Sequence, residues 1–334
     1  MQAKYVLLFL LGIQVPGKIN AQGDKLVSGL NVQEISVSKW NTPEGLAYKE
    51  VPGVNLGVTS FEQINATEMA YLSNAANEIN ITNIGTGRVI RRFPVLFAPR
   101  DFVYDQGFFY VLAERAMNVY DNKGEVVNTF NLPASALGVE RICRFGNETF
   151  LLLPSGNSLK IESAGKTSDA SELSGWITQQ GHFVSASMQG NTYTVHVATS
   201  GGLSYDKRFS TSGHLAGAYV IGAMANRIYL DIQTFVSESP IQVQRKVVGI
   251  ELTPLGTLEV VSSLLVPDCY YVLSNNDLHI DAQGKLLQMI TAPQGIYIYA
   301  LSEVPAAKLT GFYPAAISGM KYHFNDHLVS VEQK

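Results

Sequence analysis

Two short stretches of the chain carry side chains that could act together. Asp277-Leu278-His279-Ile280-Asp281 sets two carboxylates around an imidazole at alternate positions. In a strand, residues i, i+2 and i+4 share a face, so the three would converge as a metal site or an acid–base group requires. His323-Phe324-Asn325-Asp326-His327 puts two histidines four residues apart, a metal-binding spacing if that segment were helical. The HExxH zinc pattern is missing there, because no Glu follows His323. An exposed polar tail is the expectation for this stretch. Serine-hydrolase chemistry lacks its GxSxG turn: Ser155-Gly156 and Ser212-Gly213 have no glycine at the required earlier position. Gly85-Thr86-Gly87 reads as a hairpin turn, and neither an EF-hand loop nor a CxxC pair occurs.

The elements that would position these residues are short strands. Residues 101–133 read DFVYDQG, FFYVLAER, AMNVYDNKGEV and VNTFNLP, four apolar runs separated by turn signals. The same layout can be traced five more times, at a spacing of roughly 40 residues, the size of one four-stranded blade. The chain is therefore expected to be all-β, a six-bladed β-propeller closed by an N-terminal strand. The repeat also judges the first stretch. Asp101 and Asp105 occupy the places of Asp277 and Asp281, whereas Val103 stands where His279 does. The two aspartates thus belong to the repeat, at a strand start and a turn, and His279 is the departure.

In the expected register, blade 1 has strands at 58–65, 68–74, 78–84 and 88–95, and blade 2 is 101–133. Blade 3 has 139–145, 149–153 and 158–162, with an outer strand somewhere in 171–178. Blade 4 has 182–188, 192–198 and 203–209, with a weak outer strand. Blade 5 has 218–224, 227–235, 246–252 and 257–265, and an insert at 237–244 lengthens its central hairpin. Blade 6 has 277–281, 285–291 and 295–302 but no outer strand of its own. A closed ring leaves no unpaired edge, so 31–40 is assigned to that place. Both faces of a blade pack on neighbours, which accounts for continuous apolar runs such as FFYVLA and IYIYAL.

A propeller binds ligands where the loops leading into its innermost strands converge. Glu62, Arg100, Asp101, Arg141, His182, Asp277 and His279 fall on or near those strands and form the expected ligand-binding set. Tyr270 and Tyr271 would add an aromatic rim. A polar funnel of this kind suits a sugar, a peptide or a metal and selects none of them.

Composition narrows the partners. With 24 Lys+Arg against 28 Asp+Glu there is no basic surplus to neutralise phosphates, and nucleic acid is not an expected partner. The local basic run of Arg88, Arg91 and Arg92 reads as a solvated strand face. Lys4, the apolar run 6–13 and Ile19-Asn20-Ala21 follow the three-part layout of a secretory signal. Residues 1–21 are accordingly assigned to a signal peptide, 22–304 to the propeller and 305–334 to a tail packed on or extending it. No Cys follows the apolar run, which argues against a lipid anchor, and no stretch approaches the roughly 20 apolar residues of a membrane span. A secreted or periplasmic protein is expected. Cys143 and Cys269 fall in blades on opposite sides of the ring, so two buried free thiols are expected. The sequons at Asn65, Asn80 and Asn147 matter only in a glycosylating host.

The repeat resembles the six-bladed propellers of the NHL and NHL-like families, including exported proteins of Bacteroidetes. The residues that carry this are 101–121 with Asn122-Lys123-Gly124, and 277–284 with Lys285-Leu286-Leu287. The resemblance implies the fold and transfers no catalytic residue. It leaves three functional readings: a binding or scaffold module for a protein or carbohydrate ligand; a metal-dependent hydrolase or lactonase-like enzyme; and a subunit of a surface complex. No cofactor is expected in the first reading, and a Ca²⁺ in the second. The lactonase-like reading requires the acids of the channel mouth to point at one another.

Overall fold

The computed structural model describes residues 28–136, 138–153, 155–161, 173–178, 180–224, 226–239, 241–267, 271–281, 284–305, 321–325 and 328–332. The expected signal segment, Cys269, Tyr270, Asp326 and His327 lie outside them. Strand β1 (Ser28–Lys39) is followed by a small hairpin, β2 (Lys49–Val51) and β3 (Val54–Leu56). Blade 1 is β4 (Val58–Gln63), β5 (Glu68–Ser73), β6 (Glu78–Asn83) and β7 (Val89–Pro94). Blade 2 is β8 (Asp101–Asp105), β9 (Phe108–Leu112), β10 (Ala116–Tyr120) and β11 (Val126–Asn131). Blade 3 has β12 (Arg141–Phe145), β13 (Glu148–Leu152) and β14 (Ser158–Ile161). Blade 4 has β15 (Trp176–Ile177), β16 (Phe183–Gln189), β17 (Thr192–Ala198) and β18 (Ser204–Ser210). Blade 5 has β19 (Leu215–Met224), β20 (Arg227–Glu238), β21 (Ile241–Leu252) and β22 (Leu258–Val266). Blade 6 has β23 (Leu278–Ile280), β24 (Leu286–Ala292) and β25 (Gly295–Pro305). A last hairpin, β26 (Lys321–Asn325) and β27 (Leu328–Glu332), joins β21 where Phe324 faces Ile241.

The six blades are antiparallel meanders, and the first strands of neighbouring blades touch: β4 with β8, β8 with β12, β15 with β19, β19 with β23. The first strand of each blade therefore lines the central channel. Strand β1 pairs antiparallel with β25 from Ser28↔Pro305 to Lys39↔Gly295, supplying the missing outer strand of blade 6 as the sequence led one to expect. At its end the Trp40 indole Nε1 donates to the Ala292 carbonyl at 2.7 Å. The closure is tight. Gly87, at φ 65°, lies so close to β1 that a Cβ there would stand 1.7 Å from the Val37 carbonyl oxygen.

Apolar side chains are sequestered between blades. One seam joins Phe61, Met69 and Tyr71 of blade 1 to Leu287, Met289 and Ile298 of blade 6. Another packs Phe93 and Ile81 of blade 1 on Phe102 and Phe109 of blade 2. The second strands of blades 1, 3 and 6 are covered on both faces, with every residue of β24 buried, whereas β16 of blade 4 ends exposed. Outer strands are not: β11 exposes all but Phe130. Burial on two faces is what turns alternation into continuous apolar runs.

The register of blades 3 and 4 differs from expectation. Trp176–Ile177 pairs with β16 and is the first strand of blade 4, so 183–189 is its second strand and 204–210 its outer one. Among the described residues, Leu173 alone bridges to Ser158 at the outer edge of blade 3. A two-residue strand gives no periodic signal, which is why the sequence places its neighbour innermost. In the tail, His323 lies on strand β26 and not on the helix that a metal-binding spacing would need.

Candidate binding site at the channel mouth

The shortness of β15 creates space. Gln189 and Thr192 close a two-residue hairpin, so the odd-numbered residues of β16 bond to β17. Even-numbered residues turn their N–H and C=O to the other edge, as His182 does when its carbonyl accepts from the Thr178 N–H at 2.8 Å. On that edge Val184 faces Trp176, and the register of β15 ends there. Ala186 and Met188 are hydrogen-bonded to no strand on that edge among the described residues, and β19 of the next blade packs beside β16. Gly175, at φ 93°, turns the backbone away just before Trp176. Beside this edge lies a cavity of about 540 Å³, whose walls come from β12, the turn between β13 and β14, β15, β16, β19, β20, β21 and the start of β23 with the segment before it. That volume is within the roughly 300–1,000 Å³ of small-ligand sites.

One wall carries a fixed cation. Arg141 opens β12, and its guanidinium lies 5.4 Å from the centroid of the Trp176 ring. Its Nη1 donates to the Val220 carbonyl at 3.0 Å across the channel, while its Nε is buried without a partner. Ser274 Oγ, also on the lining, is buried without a partner too. The facing wall carries an ion triad. Arg245, 3% exposed, donates from Nη2 to Asp231 at 2.7 Å and from Nη1 to Asp277 at 2.6 Å. Gln233 Nε2 adds a bond to Asp231 at 2.9 Å. Burial pushes the Asp277 carboxyl up, Arg245 pulls it back, and Asp231 pushes it up again. Two carboxylates on one guanidinium leave this wall net negative, opposite the positive Arg141. At the rim, the half-exposed Tyr219 ring lies over Gly217, where a Cβ would stand 2.3 Å from the ring.

The remaining channel polar groups are consumed in joining blades. Asp101, fully buried, accepts from Ser60 Oγ of blade 1 at 2.5 Å and from the Ile142 N–H of blade 3 at 3.0 Å. Glu62 accepts from the Tyr104 N–H, and Arg144 holds Asp105 at 2.7 Å. Glu62 Oε1 also lies 3.9 Å from His279 Nε2. Burial raises the Glu62 carboxyl well above its usual 4.5, with Asp101, Asp105 and Asp281 adding to the rise against the Tyr104 N–H. Burial, helped by Arg141, pushes the His279 imidazole down to about 3. The imidazole is therefore neutral near pH 7, and the contact is not an ion pair. Among the described residues no three His, Cys, Asp or Glu side chains stand together as a metal-ligand set.

No protein-family model matches the chain, and no curated protein matches it. Solved propellers do. Kuenenia stuttgartiensis hydrazine synthase is 14% identical, with 88% of this chain and 98% of that one covered, at a TM-score of 0.49. A streptogramin B lyase is 12% identical over 84% of this chain and 100% of its own, at 0.42. The C-terminal WD40 domain of Sif2 is 11% identical over 81% and 99%, at 0.42. Such likeness concerns the fold alone, and the chemistry of the site has to be read from this chain.

Of the seven residues expected to bind a ligand, Arg141 and Asp277 line the cavity. Arg100 donates to the Val139 carbonyl at 2.8 Å, and Asp101, Glu62 and His279 lie in the channel, off the cavity lining. His182 is misplaced: it belongs to the turn between β15 and β16, not to a segment leading into a first strand. Tyr271 stacks on Tyr48, ring centroids 5.2 Å apart, and does not line the cavity. Asp231, Arg245, Trp176 and Tyr219 escaped the sequence reading. A signal for the first existed, since Asp231 is a lone carboxylate in the buried run IYLDI, and such a charge is kept only with a partner.

Proposed function

We propose that the protein is an exported propeller of NHL-like type that works as a binding module, with its ligand in the mouth cavity between blades 3 and 6. One observation carries this reading. The cavity has polar walls of opposite charge, each rigidly held by buried partners, around a volume suited to a small ligand. Fixed donors and acceptors around a concave space recognise a ligand without further ordering cost. Export rests on the Lys4 to Ala21 pattern, and the NHL-like assignment on the repeat hairpins. The binding reading is preferred to a calcium-dependent lactonase because the channel acids do not fit one cation. Asp101 is bonded to two other blades, Glu62 is spent on the Tyr104 N–H, and Asp277 is shared with Arg245.

The test is a thermal-shift panel of short peptides, oligosaccharides and nucleotides on the wild type and on Ser187→Trp, which fills the exposed rim of the cavity. A ligand that raises the wild-type melting temperature and has no effect on the variant supports the reading. Equal response of both proteins, or hydrolysis of a lactone panel that depends on added Ca²⁺, refutes it.

A further inference from the structure

We infer that the cavity takes an extended peptide with a free C-terminal carboxylate, which adds as a strand to the open edge of β16 and completes the innermost strand of blade 4. This rests on the cavity being the binding site and specifies its ligand.

The geometry points to it in three steps. First, the edge is preformed. Ala186 and Met188 present N–H and C=O groups on the side of β16 that β15 leaves uncovered, and Val184 to Ser187 line the cavity. Strand addition uses such groups for affinity. Second, the direction is set. A strand continuing the line of β15, antiparallel to β16, would run past Met188 and Ala186 and end against Trp176. Arg141 lies over that ring, with Nε unspent. A guanidinium with a free N–H at the end of a strand matches a terminal carboxylate. Third, the opposite wall suits the rest of a peptide. The negative Asp231–Arg245–Asp277 triad and Gln233 offer acceptors and donors for side chains or backbone, and Ser274 Oγ offers another donor.

The probe is a library of N-acetylated pentapeptides with free C-termini, titrated by fluorescence polarisation, beside the same library amidated at the C-terminus. Binding of the free acids, about tenfold weaker on amidation, is expected for the loss of one charge-assisted bond. Arg141→Gln should bind acid and amide alike, a loss of discrimination that mere structural damage would not produce. In the complex, the amide hydrogens of Ala186 and Met188 should exchange more slowly, a readout that needs no variant. Ala186→Pro removes one of those donors without touching the β16–β17 ladder and should weaken binding about tenfold. Equal affinity for acids and amides, or unchanged exchange at Ala186 and Met188, overturns the peptide. So does saturable binding of neutral oligosaccharides alone that Tyr219→Ala abolishes, which leaves the cavity as the binding site. If neither class binds, the cavity reading falls as well.

Discussion

Blades 4 and 6 share a defect and resolve it differently. Each has a stunted innermost strand, two residues in β15 and three in β23, so each leaves part of its second strand uncovered. In blade 6 the chain repairs the gap itself. The Met289 N–H donates to the Asp277 carbonyl at 2.7 Å, and Thr291 Oγ1 accepts from the Val272 N–H at 3.0 Å and donates to its carbonyl at 3.2 Å. In blade 4 no described residue caps Ala186 or Met188, and the cavity stands there. A short inner strand is thus not enough to make a site. A site forms where no distant segment returns to satisfy the exposed backbone, since such groups are seldom left unpaired.

The largest effect of a change is expected at the other edge of blade 6. Deleting residues 28–40 removes the eleven register pairs between β1 and β25 and the Trp40 bond to Ala292. With each ladder bond contributing about 1 kcal/mol net, a loss of at least about 5 kcal/mol is expected, enough to abolish a cooperative urea transition. A variant that melts like the wild type would refute the role given to the closing strand. Next comes Arg245→Met, which strands two buried carboxylates beside the cavity. A loss of about 3–5 kcal/mol is expected at pH 7. It should shrink as pH falls, because the Asp277 carboxyl, raised by burial, costs stability only when it ionises. Urea titrations at pH 4.5 and 7 measure both.

A matched pair of changes then sharpens the contrast between the two edges. Thr291→Val leaves the Val272 N–H and carbonyl without their side-chain partner in a buried place and should cost about 1–3 kcal/mol. Ala186→Pro, at the corresponding edge of blade 4, should cost about 1 kcal/mol or less, because the N–H it removes bonds to nothing in the described chain. Similar losses in both variants would mean that the blade 4 edge is already capped.

The channel, finally, should report through pH with two opposite signs. His279 has its pKa depressed, so its share of stability is present above about pH 6.5 and is lost as pH falls towards 3. His279→Gln should flatten that acid limb. Glu62 has its pKa raised, so its share is present below 4.5 and is lost as pH rises. Glu62→Gln should gain on the wild type as pH climbs above that value. Melting curves across pH 3–9 read both, and parallel curves for variant and wild type would disprove the two shifts.

Much of this molecule could be read in order along the chain. Strand identity depends on local pattern: apolar runs of five to seven residues cut by Asn-Lys-Gly or Asp-Gln-Gly turns announce themselves wherever they occur. Ring closure was legible for the same reason, since blade 6 lacked a strand and 31–40 was a strand without a blade. The register failed where β15 had two residues and so no period to detect. Asp101 and Asp277, equivalent in the repeat, ended in different roles. One is bonded between Ser60 and Ile142, and the other shares Arg245 with Asp231.

The six-fold repeat, the β class and the closing strand are encoded locally, because they follow from side-chain period and turn chemistry over a few residues. Which charges meet and where space remains depend on how the blades pack. Asp231 and Arg245 reach Asp277 only across two blades, and the open edge of β16 exists only because Gly175 turns the chain aside and nothing described returns to cover it. Pairing and vacancy depend on contacts between segments far apart in sequence, and no local pattern encodes them.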